Sequence, residues 1–383
     1  WEDNPQRALA NNSVCYTEKP DMGIFMREWE ALYESKSGER GIFNREAANA
    51  FIPERRKESG EQDFGCNPCS EILLRSSQFC NLTEVVVRAD DTLDSLKEKV
   101  RKAAILGTLQ ATLTDFRYLR KVWKTNTEEE ALLGLSLTGI MDHPVLSGRP
   151  RNVDGDCEHE ILADWLQEMK NVAIETNAEW AKRLGINPAA AITCVKPSGT
   201  VSQLVDSASG IHPRFSPFYI RTVRADVKDP LAQYMVDAGF PNEVDVTKDS
   251  NLVFSFPIQS PLGAVCNKDV GAMEQLRLWK IYQDHWCEHK PSITVYYKDD
   301  EFLDVAGWCW KNFDSLSGIA LLPFSDHTYQ QAPYQEITEE EYEEARSVLP
   351  SFDAVAASKF EAGEDSTIGS QELACAGGSC ELP

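Results

Sequence analysis

Long apolar runs are missing from this chain. None reaches the roughly 18 residues that a membrane span needs, and mean hydropathy is negative, so no membrane partner is expected. Positive charge is scarce as well: 38 Lys and Arg stand against 61 Asp and Glu, a net charge of −23. Such an excess of acid repels phosphate backbones and argues against a general nucleic-acid binder. Internal repeats, low-complexity tracts and the GxxxxGK[ST] phosphate loop are also absent. No signal peptide is visible. The 11 cysteines are an odd number at irregular spacing, a poor disulfide framework. A reducing cytoplasm, with any disulfide transient and catalytic, is the expected setting. The residues after Trp1 read as mid-domain sequence, so the chain is expected to be a piece of a longer polypeptide.

What is present supports one large domain or two moderate ones, since 42% of 383 residues are hydrophobic. Apolar positions recur at helical spacing from Leu93 to Trp123 and again from Glu158 to Leu184, where Gly185 is placed to end the helix. AITCVKP from Ala191, SITVYY at 292–297 and GIALLPF at 318–324 read as buried strands. Strands alternating with long helices predict a largely parallel α/β architecture, with a barrel as one form. The acid-rich end, from about Ala354, reads as a flexible tail.

Three places offer chemistry. In Asn67-Pro68-Cys69-Ser70-Glu71, Pro68 blocks helix entry and projects Cys69 from a loop tip. An extended path would turn Asn67, Cys69 and Glu71 to one side, where a carboxylate beside a thiol can serve as general base or acid. The plain alternative is a buried loop cysteine with a surface glutamate. Cys66, Cys69 and Cys80 also allow a zinc reading, as do His285 and His289 four residues apart, although the usual further ligands are missing. In Lys196-Pro197-Ser198-Gly199-Thr200-Val201-Ser202 a strand ends and a short helix is expected near Thr200, which is either an anion-binding turn or an ordinary one. Last, Cys375 and Cys380 flank Ala-Gly-Gly-Ser near the chain end. Glycines let that loop close into a disulfide, and terminal mobility suits a dithiol that visits a buried site.

These phrases, taken in order, resemble the catalytic chain of the ribonucleotide reductases, and specifically the adenosylcobalamin-dependent class II kind. The matches run from RALANNSV near residue 7 and ALYESKSGERGIFNRE at 31–46 through NPCSEI, FCNL, LGLSLTGIMD and CVKPSGTVSQL. They continue through SGIHPRF, YIRTVR, KPSITVYY and LLPFSDHTYQQAPYQ to CAGGSC. The resemblance implies the C-terminal portion of a ten-stranded α/β barrel over residues 1–353, a finger loop carrying the radical cysteine, and a redox-active tail over 354–383.

It also implies roles. Cys69 would become the thiyl radical that abstracts the ribose 3′ hydrogen, Glu71 would take the 3′-hydroxyl proton, and Asn67 would hydrogen-bond the 2′ and 3′ oxygens. Cys80 would be one of two cysteines that reduce the substrate. Cys375 and Cys380 would re-reduce the resulting disulfide and be recharged by a thioredoxin-like donor. Ser198, Gly199, Thr200 and Ser202 would hold substrate phosphates, and Ser13 would contact substrate. Adenosylcobalamin is the implied cofactor, and a ribonucleoside triphosphate or diphosphate the implied substrate.

One departure stands out. The family's partner to Cys80 lies upstream of NNSV, and Cys15 lies after it, so that role is left unassigned and an upstream fragment is the expected partner. Tyr296 and Tyr297 resemble the tyrosine pair of class I chains, which draw their radical from a separate subunit, but strand packing accounts for them. A class I large subunit, an inactive fragment and a metal-binding module are the competing readings.

Overall fold

The computed structural model describes residues 12–35, 41–58, 60, 63–149, 159–324 and 330–361. The strands are β1 (Val14–Tyr16), β2 (Ile42–Asn44), β3 (Gly65–Cys66), β4 (Leu73–Leu74), β5 (Asn81–Val86), β6 (Leu133–Thr138), β7 (Phe218–Asp226), β8 (Asn242–Val244), β9 (Asn251–Gln259), β10 (Thr294–Tyr297), β11 (Gly318–Pro323) and β12 (Tyr334–Glu336). The helices are α1 (Met22–Ser35), α2 (Arg45–Phe51), α3 (Glu54–Lys57), α4 (Leu93–Gln110), α5 (Lys121–Glu130), α6 (His159–Leu184), α7 (Gly199–Leu204), α8 (Pro230–Asp237), α9 (Ala272–His285), α10 (Phe302–Lys311), α11 (Glu339–Ser347) and α12 (Ala354–Glu361). The fold is mixed α/β. Among the described residues, no helix is long and apolar enough to cross a membrane.

The chain divides into two units. The first holds the described residues up to Pro213 together with Gly263–Phe324. Its strands form a chain of pairings. β5 lies parallel to β6. β6 bridges in parallel to Thr193, and Val195 to Pro291. β10 is parallel to β11, which meets β2 antiparallel, and β2 is parallel to β1. Every residue of β6 is buried, the signature of a strand covered on both faces rather than an alternating one. Helix α6 buries Leu162, Leu166, Met169 and Ala173 at helical spacing, and its Asn177 Nδ2 donates to Thr108 Oγ1 of α4 at 2.9 Å. Burying one such leucine stabilises the fold by roughly 1.5–3 kcal/mol.

The strands expected near residues 292 and 318 are present, whereas the run from Ala191 makes only single bridges at Thr193 and Val195. Gly185, at φ +71°, follows α6 where a stop was expected. The helix expected over Leu93–Trp123 is instead two. A Thr92–Ser95 capping box starts α4, the chain then turns, and α5 begins at Lys121. The periodic pattern ran on through Leu113, which is 72% exposed, so that position of the pattern has no core to face. Local bonds hold the turn, among them Thr112 Oγ1 to the Leu109 carbonyl at 2.7 Å.

The second unit holds Arg214–Leu262 and the described residues after Ser325. It is an antiparallel sheet in the order β12-β7-β9-β8, with Ala232, Phe240 and Phe254 as its core. The flexible tail was expected from Ala354, but Ala354–Glu361 forms α12, where Phe360 packs on Tyr234 at 5.5 Å. Cys375 and Cys380 lie outside the described residues.

Candidate active site

Pairing of β3 with β4 makes a short hairpin, Gly65 opposite Leu74 and Cys66 opposite Leu73. Asn67 closes the loop between them. Its carbonyl accepts from the Ser70 N–H at 2.8 Å, and its side-chain Oδ1 accepts from the Ile72 N–H at 3.0 Å. Ser70 takes the left-handed conformation, φ +67°. The segment is therefore a turn, and the extended path that would have aligned residues 67, 69 and 71 does not form. Cys69 is exposed at the tip. Glu71 is 1% exposed, and its Oε2 has no hydrogen-bond partner, an acceptor left over in a buried place.

Buried and half-buried groups lie within electrostatic reach of that carboxylate. Burial pushes the Cys80 thiol up, Glu71 adds to the push, and Arg56 opposes it. Cys194 is held well above the usual thiol range by burial, then by Glu71 and neighbouring thiols. Cys66 is raised by burial and eased by Lys290. Glu84 on β5 is raised by burial, against the Ser198 hydroxyl and Lys196, with Glu71 adding to the rise. Lys290 is brought down to about 8 by burial, against the pull of Cys66, Glu71, Cys287 and Cys69. A glycine makes room beneath Cys80: a Cβ on Gly134 would meet Leu82 Cδ2 at 2.4 Å and stand 3.3 Å from Cys80 Sγ.

The loop before α7 is occupied from within. Ser198, at φ +57°, donates its hydroxyl to Glu84 Oε2 at 2.8 Å. Ser202 pairs with Ser209 Oγ at 3.0 Å. Gly199 and Thr200 form the exposed edge. Gly210 lies under this loop at φ +57°, where a Cβ would strike the Lys196 carbonyl at 2.3 Å. Ser13 lies beside Gly41.

Histidines thread the site structurally. His289 Nδ1 accepts from the Leu73 N–H at 3.3 Å, and its Nε2 donates to the Leu133 carbonyl at 2.9 Å, tying the hairpin to β6. Burial, followed by nearby Arg56, lowers it to about 3. With both ring nitrogens engaged, the zinc reading of His285 and His289 loses its second ligand. Among the described residues no group of three His, Cys, Asp or Glu is placed to hold a metal. Tyr297 packs on Phe302 at 4.8 Å, a core contact.

Under the hairpin, Arg56 donates from Nε to Glu130 Oε1 at 3.0 Å and from Nη2 to Glu130 Oε2 at 2.9 Å. It also donates to the Leu73 carbonyl at 3.0 Å and lies over the Phe64 ring at 4.3 Å. Glu84, Lys290 and Cys194 were not singled out by sequence reasoning. Lys290 and Cys194 sit inside phrases that were, KPSITVYY and CVKPSGT, and Glu84 stands two residues past FCNL, but their partners are far away in sequence.

No protein-family model matches the chain. The chain is 26% identical over 336 residues to the adenosylcobalamin-dependent ribonucleoside-triphosphate reductase of Lactobacillus acidophilus, covering 82% of this chain and 45% of that protein. With the enzyme of the same name from Lacticaseibacillus paracasei it shares 27% over 406 residues, 98% of this chain and 53% of the other. With the probable one of Dictyostelium discoideum it shares 28% over 352 residues, 89% and 44%. A crystal structure of a B12-dependent (class II) ribonucleotide reductase superposes with a TM-score of 0.75 at 22% identity, over 93% of this chain and 52% of that one. The class Id α subunit of Actinobacillus ureae gives 0.57 at 13% identity, over 82% and 65%. The chain spans about half the length of the curated relatives it matches. The resemblance to class II ribonucleotide reductases first carried by motifs thus extends over most of the chain.

Proposed function

We propose that this chain carries the radical loop and part of the reducing machinery of a ribonucleotide reductase that makes 2′-deoxyribonucleotides. The observation that carries this reading is the pairing of opposites at one short hairpin. An exposed thiol, Cys69, stands two residues from a buried carboxylate, Glu71, with an unpartnered oxygen. Electrostatic contact with Glu71 reaches Cys80.

In this reading Cys69 removes a hydrogen atom from the substrate ribose and later returns it. Glu71 accepts a hydroxyl proton on its unpartnered oxygen. Asn67 holds the loop closed and offers its amide to the sugar oxygens. Cys80, its thiol kept protonated by burial, and a second cysteine, which an upstream fragment of the enzyme would supply, each give up a hydrogen and end joined as a disulfide. Cys375 and Cys380 reset that disulfide and are themselves reduced by a thioredoxin-like protein. The exposed edge at Gly199 and Thr200 faces the phosphates, while Ser198 and Ser202 shape the loop from inside. Ser13 is retained as a substrate contact at the β1 side. Adenosylcobalamin, when bound, supplies the one-electron chemistry that activates a thiol, and the exposure of Cys69 fits that need, because a buried thiol would be out of its reach. The parallel series from β5 to β11, with β2 and β1 running the other way, supports a contiguous arc of the ten-stranded barrel, with the hairpin as its finger loop.

The test is direct. Full-length protein is mixed with adenosylcobalamin, a ribonucleoside triphosphate or diphosphate and a dithiol, and deoxynucleotide is measured by chromatography. Product is expected from the unaltered protein and none from Cys69→Ala. Equal product from both, or none from the unaltered protein with either substrate, overturns the reading.

A further inference from the structure

Residues 289–292 are joined to the hairpin at four places in succession. The Leu73 N–H donates to His289 Nδ1 at 3.3 Å. The Lys290 N–H donates to the Glu71 carbonyl at 3.2 Å. Lys290 Nζ donates to Ser70 Oγ at 2.8 Å. Ser292 Oγ donates to the Cys69 carbonyl at 2.6 Å. Residue numbers fall along one segment as they rise along the other, so the two are aligned antiparallel through mixed side-chain and backbone bonds.

The far edge of the same strip is fixed to the sheet. The Val195 N–H donates to the Lys290 carbonyl at 3.3 Å, and the Ser292 N–H to the Val195 carbonyl at 2.8 Å. In an extended strip, residues two apart project to the same side, and the side chains of Lys290 and Ser292 both reach the loop. Pro291 between them has no N–H to spare, and its carbonyl accepts from Trp279 Nε1 at 3.0 Å.

Two features show that the lysine is built into this place. It is 2% exposed, an environment that disfavours an ammonium unless partners hold it. Gly318 leaves it room, since a Cβ there would stand 3.2 Å from Nζ. Its bond falls on Ser70, the one loop residue in the left-handed region, a conformation that persists in non-glycine residues when the surroundings enforce it.

We infer that Lys290 and Ser292 are positioning residues for Cys69, a latch that fixes the turn on which the thiol is presented beside Glu71. The catalytic consequence rests on the reading of Cys69 as the reacting thiol; the latch itself does not.

The experiment uses full-length protein and the variants Lys290→Met, Ser292→Ala and Ser70→Gly, the last keeping the left-handed backbone while removing the hydroxyl. Amide hydrogen exchange is followed on the peptide spanning 66–73, and kcat and KM for deoxynucleotide formation are measured alongside. Exchange at Ser70, Glu71 and Ile72 is expected to rise at least tenfold in Lys290→Met and in Ser70→Gly, and less in Ser292→Ala. Deoxynucleotide kcat is expected to fall tenfold or more in Lys290→Met while KM stays within twofold. Unchanged exchange in the variants overturns the latch, whatever the activity. Raised exchange in a protein whose unaltered form makes no product sustains the latch and sinks the reductase reading instead. Raised exchange with kcat unchanged refutes the positioning role. If Lys290→Met does not fold, Ser292→Ala and Ser70→Gly decide by the same two measurements.

Discussion

Replacing Glu130 with leucine should cost the first unit several kcal/mol, and replacing Arg56 with methionine as well should return most of it. Arg56 is fully buried and Glu130 is 4% exposed, so neither charge can turn to water when its partner goes. Removing one member of a buried pair costs about 3–5 kcal/mol, whereas replacing both by apolar groups is often near neutral. Against a total stability of about 5–15 kcal/mol, the single loss is a large fraction. It should lower the unfolding midpoint by roughly 6–20 °C at about 2–4 °C per kcal/mol. Recovery in the double variant should be incomplete, because Gln78 Nε2 also leans on Glu130, at 2.5 Å. The assay is urea unfolding followed by tryptophan fluorescence. The 8 tryptophans among the described residues all belong to the first unit, so their signal reports that unit. Because Arg56 also holds the Leu73 carbonyl, amide exchange in the hairpin should accelerate in the single variants. A cost below about 1 kcal/mol for Glu130→Leu, or a double variant as unstable as the two single losses added, would refute the argument.

Two further outcomes are expected. His212 and His289 are lowered by burial to about 4 and about 3, so the unfolded chain binds more protons than the folded one below about pH 6.5. Stability should therefore fall as pH drops from about 6.5 toward 4, by up to about 3 kcal/mol per histidine at 1.36 kcal/mol per unit, and His289→Gln should flatten the slope; an equal slope in both proteins would contradict this. In the tail, Cys375→Ala or Cys380→Ala should abolish repeated turnover with a thioredoxin-like reductant while leaving a single turnover intact, and equal loss in both assays would remove the shuttle role.

The parts legible in the sequence were those set by local chemistry. Pro68 announced a loop at Cys69, Gly185 announced the end of α6, and short apolar runs announced β10 and β11. The parts that escaped depend on contacts between distant residues. The apolar period after Gln110 continues in the sequence, but exposure of Leu113 and Tyr118 shows that period alone does not supply a core. The antiparallel sheet of the second unit pairs Phe218 with Gln259 and Asp226 with Asn251, a register no single strand declares. Nothing in the sequence marks Lys290 as buried, and its partner Ser70 lies 220 residues away. Ser198 and Ser202 read as either an anion-binding or an ordinary turn, and their bonds to Glu84 and Ser209 are not visible in the sequence.

The thiols themselves favour one chemistry over another. A nucleophilic cysteine is made by lowering its pKa, near cations or a helix N-terminus, so that thiolate forms at neutral pH. Here burial does the reverse at Cys66, Cys80, Cys194, Cys287 and Cys309. Glu71 pushes Cys66, Cys80 and Cys194 in the same direction. A protonated thiol is a poor nucleophile but keeps the S–H bond from which a hydrogen atom can be given. Thioester or alkylation chemistry at Cys80 would need a base beside it, and Glu71 does not serve there as a partner that draws the proton off, since its charge makes the thiolate harder to form. Hydrogen donation to a substrate radical needs the proton left in place. In the proposed reading, the carboxylate that adds to the rise of Cys80 after burial also has an oxygen without a hydrogen-bond partner, and that oxygen would take the proton from a sugar hydroxyl. Under the proposed reading one carboxylate would serve both steps, and the raised thiols around it fit hydrogen donation better than nucleophilic attack.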